Sequence, residues 1–155
     1  VAKLDSESVN AAVPLGLDLE RRLRSTKPLR APVTARVVPV ELTGNMASYE
    51  WTINGQVYGQ HRPLTVVQGE RIELSLINQT MMSHPMHLHG HHFQVVALND
   101  LSQAGAMRDT VLVPAMGSVK VAFDADNPGR WRFHCHNLYH MATGMMTEVV
   151  YDGFA

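Results

Sequence analysis

The chain has 155 residues, enough for one domain with a real hydrophobic core and short for two. Thirteen Lys plus Arg against 14 Asp plus Glu leave a formal charge of -1, which offers no basic footprint for nucleic acid and no polybasic membrane anchor. No apolar run approaches the roughly 20 residues of a membrane span, and the start, VAKLDSESVN, opens on Val rather than Met and lacks the basic-then-apolar build of a secretory leader, which reads as a processed product or a piece of something longer.

Residues 1–34 mix charge, proline and a brief helix-like LDLERRLR without sustained periodicity, and read as an arm or linker. From Ala35 the pattern changes to short alternating apolar runs split by turn residues. ARVVPVEL is followed by a glycine-asparagine turn and by YEWTI, which places Tyr49, Trp51 and Ile53 on one face. PLTVV, a QGE turn and RIELSLIN follow, with Ile72, Leu74 and Leu76 alternating. FQVVAL, DTVLV, a PAMGS turn, VKVAF, the turn DADNPG, WRFHCH and TEVVYD complete the series. Many short strands at even spacing, jointed by Gly and Pro, predict an all-β domain over residues 35–155, an antiparallel Greek-key sandwich or barrel.

Nine histidines and nine methionines are many for this length, and all the histidines except His61 fall in two windows. The first is HPMHLHGHH (84–92), ahead of FQVVAL. The second is HCHNLYH (134–140), at the end of WRFHCH, and it holds the single cysteine, Cys135. One cysteine excludes an internal disulfide, so the thiol is either free or a ligand. Side chains alternate across a strand, so His134 and His136 point one way and Cys135 the other. The same parity puts His87 and His89 on one face and turns His84 away from them.

On the Cys135 side, a thiolate with the imidazoles of His84 and His140 and the thioether of Met145 makes a His₂Cys set with a weak axial Met. Those soft and borderline donors suit a blue-copper electron-transfer site. A structural zinc site takes four strong ligands, and a thioether is a poor fourth. Gly144 lets the backbone turn Met145 back toward the metal. On the opposite side, His87, His89, His134 and His136 form half of a multinuclear site or all of a mononuclear one.

The remaining candidates have plainer readings. His91 and His92 read as packing or as supports for ligands, His61 as a loop residue, and Trp51 and Trp131 as core. Met81, Met82 and Met86 read as core filling before they read as a guide for Cu(I). Asp109 reads either as an acceptor for a ligand imidazole or as a strand-end hydrogen bond.

HPMHLHGHHF taken with HCHNLYHMATGMM resembles the pair of copper motifs that close the last cupredoxin domain of multicopper oxidases, the family of laccases, bilirubin oxidases and bacterial metal oxidases. WTINGQVY, VVQGERIELSLIN, RDTVLVP and NPGRWRFHCH extend the resemblance over roughly Ala35 to Tyr151. It implies that His84, Cys135, His140 and axial Met145 hold type 1 copper, and that His87, His89, His134 and His136 serve the type 2 and type 3 coppers. It also implies single-electron entry from a small reductant, a phenol or a metal ion. The electrons would pass through Cys135 to His134 and His136, and O₂ would be reduced to water. The family's N-terminal domain carries two further His-x-His motifs that this chain lacks, so the rest of the trinuclear site has to come from another cupredoxin domain or a neighbouring subunit. Relatives of this type act in the periplasm or outside the cell. A stand-alone type 1 electron carrier and a copper-storage domain are the competing readings, and both leave His87, His89, His134 and His136 without work.

Overall fold

The computed structural model describes residues 17–30 and 35–154. In chain order the elements are α1 (Asp18–Arg22), β1 (Arg36–Asn45), β2 (Glu50–Ile53), β3 (Leu64–Val66), β4 (Arg71–Asn78), β5 (His84–Leu88), β6 (Phe93–Leu98), β7 (Leu101–Ser102), β8 (Met107–Arg108), β9 (Thr110–Val113), β10 (Ser118–Asp124), β11 (Arg130–Cys135), α2 (Leu138–Ala142) and β12 (Met146–Tyr151). They form two sheets. One runs β2-β1-β4-β10-β6-β7 with β8 also on β6, and the other runs β3-β12-β11-β5-β9. Each sheet buries one face. Val40, Leu42, Ile72, Leu74, Leu76, Val119, Val121 and Phe123 meet Met86, Leu88, Val111, Val113, Phe133, Val149 and Tyr151 in one continuous core.

The alternation that predicted strands is what fills this core: β4 buries Ile72, Leu74 and Leu76 as expected. The all-β sandwich is borne out, with two differences. β1 pairs with β4, and β3 with β12, in parallel. A period of two reports which face is buried and is silent on strand direction. Tyr49 falls before β2 with φ +51°, so it does not share the strand face of Trp51 and Ile53, although its ring stands edge-on to Trp51.

The helix-like stretch in the arm becomes α1. The described part of the arm lies against the sheet: Glu20 pairs with Arg108 at 3.0 Å, the Leu29 N–H donates to Gln94 Oε1, and Leu17 packs on the core. The rest of residues 1–34 lies outside the described residues.

Candidate metal centre

Two neighbouring strands and one turn of helix assemble the site. β5 and β11 pair antiparallel with His134 opposite His87 and Cys135 opposite Met86, so each pair shares a face. Along β5, His84, Met86 and Leu88 are buried and alternate with the partly exposed Pro85 and His87. Pro85 therefore does not bend the path, and the parity argument holds: His84 joins Cys135 on the inner side, and His87 joins His134 on the outer side. His140 arrives differently. After Cys135 the chain leaves the strand, Asn137 caps α2 by accepting the Tyr139 N–H, and the helix carries His140 back inward. Sequence periodicity gives no sign of this five-residue helix, because it is too short to show a period.

The inner pocket is closed. His84 and Cys135 are fully buried and His140 is 1% exposed. His84 Nδ1 and His140 Nδ1 stand 3.1 Å apart, and Cys135 Sγ is 3.8 Å from each. The centre of that triangle lies about 2.1 Å from all three atoms, close to metal–imidazole bonds of about 2.0–2.1 Å and metal–thiolate bonds of about 2.3 Å. Two imidazole nitrogens and one sulfur at this spacing fit a copper ion. Burial depresses His84 to about 4, with the neighbouring His140 adding to the shift, and it lowers His140 as well. Both rings are therefore neutral at pH 7, as ligands must be. Burial pushes the Cys135 thiol up to about 11, with a partial offset from the Asn137 backbone. A cation in the pocket is what would turn it into thiolate.

Trp51 walls this pocket. Its ring stacks on His140 with centroids 4.2 Å apart and meets His84 edge-on at 5.3 Å. The sequence reading of Trp51 as core is right about burial and misses this contact. Met145 is buried, and its carbonyl accepts the Cys135 N–H at 3.0 Å, so the cysteine is gripped from the segment carrying the expected axial residue. Gly144 makes the approach possible. It sits at φ +126°, and a Cβ there would lie 2.7 Å from both the Trp51 carbonyl and Val57 Cγ1.

The outer cluster reaches solvent. His87, His89 and His134 each offer a nitrogen within 4.8 Å of the others, with His89 Nε2 3.0 Å from His134 Nε2. His136 stands beside them, its ring 5.7 Å from His87 and 6.0 Å from His134, but outside the tight trio. The His134 Nδ1–H donates to the Cys135 carbonyl at 3.0 Å, and the His87 Nδ1–H to the Asp109 carbonyl at 2.9 Å. Carbonyls only accept, so both rings carry their proton on Nδ1 and turn an Nε2 lone pair outward. Burial, and after it neighbouring imidazoles, lower His89; burial leads the lowering of His134 too.

Asp109 thus meets His87 mainly through its backbone. Its carboxylate accepts the Thr110 hydroxyl proton at 3.0 Å, and Thr110 Oγ1 is 2.9 Å from His87 Nδ1. His91 is buried, with Nδ1 3.2 Å from the His89 carbonyl and Nε2 2.6 Å from the Tyr151 hydroxyl; it packs and supports, as expected. His61 stacks on Tyr58 in a loop. Met86 and Met82 pack in or against the core, whereas Met81 is 82% exposed and fills nothing. Neither Thr80 nor Asn78 stands out in the sequence; Thr80 lies against His84, and Asn78 stands behind it, bonded to Thr80.

Residues 32–153 match the family model described as multicopper oxidase. The chain is 45% identical over 127 residues to the multicopper oxidase MmcO of Mycobacterium tuberculosis, covering 82% of this chain and 25% of that protein. Copper resistance protein A of Escherichia coli is 39% identical over 118 residues, covering 74% of this chain and 18% of that one. Among solved structures, the blue copper oxidase of Nitrosomonas europaea superposes with a TM-score of 0.73 at 25% identity, over 82% of this chain and 47% of that chain. The chain spans a quarter or less of these two curated relatives.

Proposed function

The chain belongs to the multicopper oxidase family, and from that premise we propose that it is the cupredoxin-type domain carrying the electron-entry site of a larger oxidase, together with half of the cluster that reduces O₂. The observation that carries this reading is the back-to-back arrangement: a closed His₂Cys triad and an outward histidine cluster meet on one strand segment. Copper, when bound, supplies the one-electron chemistry and the reduction of O₂ to water.

His84, Cys135 and His140 would hold the type 1 ion, with Met145 as a weaker fourth donor. His87, His89, His134 and His136 would hold type 2 and type 3 coppers jointly with histidines of another cupredoxin domain, from the same protein or a neighbouring subunit. Cys135 is one peptide unit from His134 on one side and from His136 on the other, which gives the shortest covalent connection between the two pockets. The His134 Nδ1–H bond to the Cys135 carbonyl adds a second link across that step. Trp51, stacked on His140 and edge-on to His84, covers one side of the buried inner pocket and keeps water from it. The reductant is a small phenol or a metal ion, and two relatives bear names that refer to multicopper oxidation and copper resistance. Copper oxidases of this build work in the periplasm or outside the cell. No helix among the described residues is long and apolar enough to cross a membrane.

The stand-alone carrier accounts for the triad alone and leaves the outer trio unexplained. Copper titration separates the readings. The chain is expected to bind one copper at the thiolate with strong visible absorption, which Cys135→Ser abolishes. Oxygen consumption with a phenolic or metal-ion reductant is expected only when the complementary domains are present. Absence of the thiolate–copper band in the unaltered chain, or unchanged oxygen consumption by the assembled enzyme after Cys135→Ser, would overturn the proposal.

A further inference from the structure

Behind His84, at its Nε2 and away from Cys135, lies a small buried polar network. Thr80 is 5% exposed and Asn78 2%. Thr80 Oγ1 makes three short contacts, to His84 Nε2 at 2.7 Å, Asn78 Oδ1 at 2.8 Å and the Met82 carbonyl at 3.0 Å, and a longer fourth in which it accepts the Met82 N–H at 3.3 Å. Asn78 is itself oriented. Its Nδ2 amide donates to the Met82 and Pro114 carbonyls at 2.7 and 2.9 Å, which leaves Oδ1 as an acceptor for the Thr80 N–H and hydroxyl.

The protons in this network can be counted. Three short contacts converge on a hydroxyl that owns one hydrogen, and two of the partners, Asn78 Oδ1 and the Met82 carbonyl, can only accept. Were Thr80 to donate to His84 Nε2, both oxygen–oxygen contacts would be left without a proton. The Met82 N–H takes one lone pair of the hydroxyl at 3.3 Å, and among the three short contacts only the imidazole can bring a proton of its own. When it does, Thr80 accepts from Nε2–H and passes its own hydrogen to Asn78 Oδ1, and a single weak contact at 3.0 Å remains unserved.

We propose that Thr80 is a positioning residue for His84. Its hydroxyl, oriented by Asn78, locks the neutral ring as the Nε2–H tautomer and fixes its plane, so that the Nδ1 lone pair faces Cys135 Sγ and His140 Nδ1. The inner pocket thereby has a device equivalent to the carbonyls behind His87 and His134, built for the opposite ring nitrogen. Partners of this kind behind a ligand imidazole change metal affinity by about 10–100-fold. The inference rests on the reading of the triad as a metal site, but its first test does not.

That test is the tautomeric state of His84 in the metal-free chain at pH 7.5, read by long-range ¹H–¹⁵N correlation spectra. The unaltered chain is expected to show Nε2–H. Thr80→Val, which keeps the shape and removes the hydroxyl, is expected to shift the ring toward a mixture, and Thr80→Ser to restore it. The second test is cobalt(II) titration followed through thiolate-to-metal absorption, with about tenfold weaker binding for Thr80→Val and near-original binding for Thr80→Ser. An Nδ1–H ring in the unaltered chain overturns the proposal whatever the variants do. So does an unchanged tautomer and affinity in Thr80→Val, or a Thr80→Ser chain as impaired as Thr80→Val, which would assign Thr80 to packing. A chain that shows the Nε2–H tautomer but never develops thiolate–cobalt absorption would sink the metal reading of the triad instead.

Discussion

The two histidine clusters are built from the same strands and differ in nearly every physical respect. The inner one is buried, walled by Trp51, and brings its donors together within the chain: two Nδ1 atoms and a sulfur already stand at bonding distance from a common centre. The outer one reaches solvent, presents Nε2 atoms, and holds its rings through carbonyls and the Thr110 hydroxyl. A buried pocket can define its metal alone, because folding has already met the cost of arranging the donors. An outward cluster on a sheet end stays open to further donors, and in the function proposed above they come from a surface that packs over it.

Paired glycine substitutions break this comparison most strongly. Gly144→Ala forces a left-handed φ on a residue with a Cβ and drives that carbon into the Trp51 carbonyl and Val57. It should cost about 3 kcal/mol in chemical denaturation and also weaken thiolate–metal absorption. Gly90→Ala, at φ +70° with its Cβ against the Trp131 ring, should cost about 2 kcal/mol yet leave that absorption intact, because it disturbs the outer side only. Equal spectroscopic damage from both would mean that the pockets are not independent.

The next effect is acid sensitivity of the metal-free chain. An unfolded histidine titrates near 6.5, whereas folded His84 titrates at about 4 and His140, His134 and His89 also lie below their ordinary value. Between those pH values the unfolded chain takes up protons that the folded chain refuses. Stability is thus full above about pH 6.5 and is lost as pH falls toward 4, by up to roughly 3 kcal/mol from His84 alone. Urea unfolding at a series of pH values checks this. His84→Gln should flatten the curve far more than His89→Gln, since the inner ring is the more deeply buried.

The smallest effect concerns the outer support. Thr110→Val leaves His87 its carbonyl partner and removes only the hydroxyl, so stability should change by less than about 1 kcal/mol. Metal binding by a Cys135→Ser chain, which isolates the outer cluster, should weaken measurably, and calorimetry would show whether it does.

How much of this was legible in the sequence follows from what each element relies on. The division into two pockets rests on strand parity, and HCH together with the odd spacing from His84 to His87 spelled it out before any coordinates. The sandwich was legible for the same reason, since runs such as RIELSLIN bury alternate residues whatever their partners. Parallel pairing of β1 with β4 was not, because the direction of a neighbouring strand leaves no mark on alternation. The sequence groups His140 with Cys135 and His84, and the fold brings the three side chains together, while the helix that delivers His140 is too short for periodicity to reveal. Thr80 and Asn78 were invisible as functional residues, because INQT is ordinary turn chemistry until folding sets a histidine ring against it.

The single helical turn between Cys135 and Met145 has a last consequence. Asn137 begins it, Gly144 ends it, and within ten residues the chain must leave a strand, deliver one ring and return to pair with the strand it left. An insertion of even one residue there would rotate His140 off the Cys135 axis by about 100° of helix turn. The β6–β7 hairpin at Asn99 and Asp100, on the far sheet, could be lengthened freely by comparison. Length is therefore a coded quantity in one loop and spare material in the other, and graft designs or circular permutants of this fold should open the chain at the hairpin.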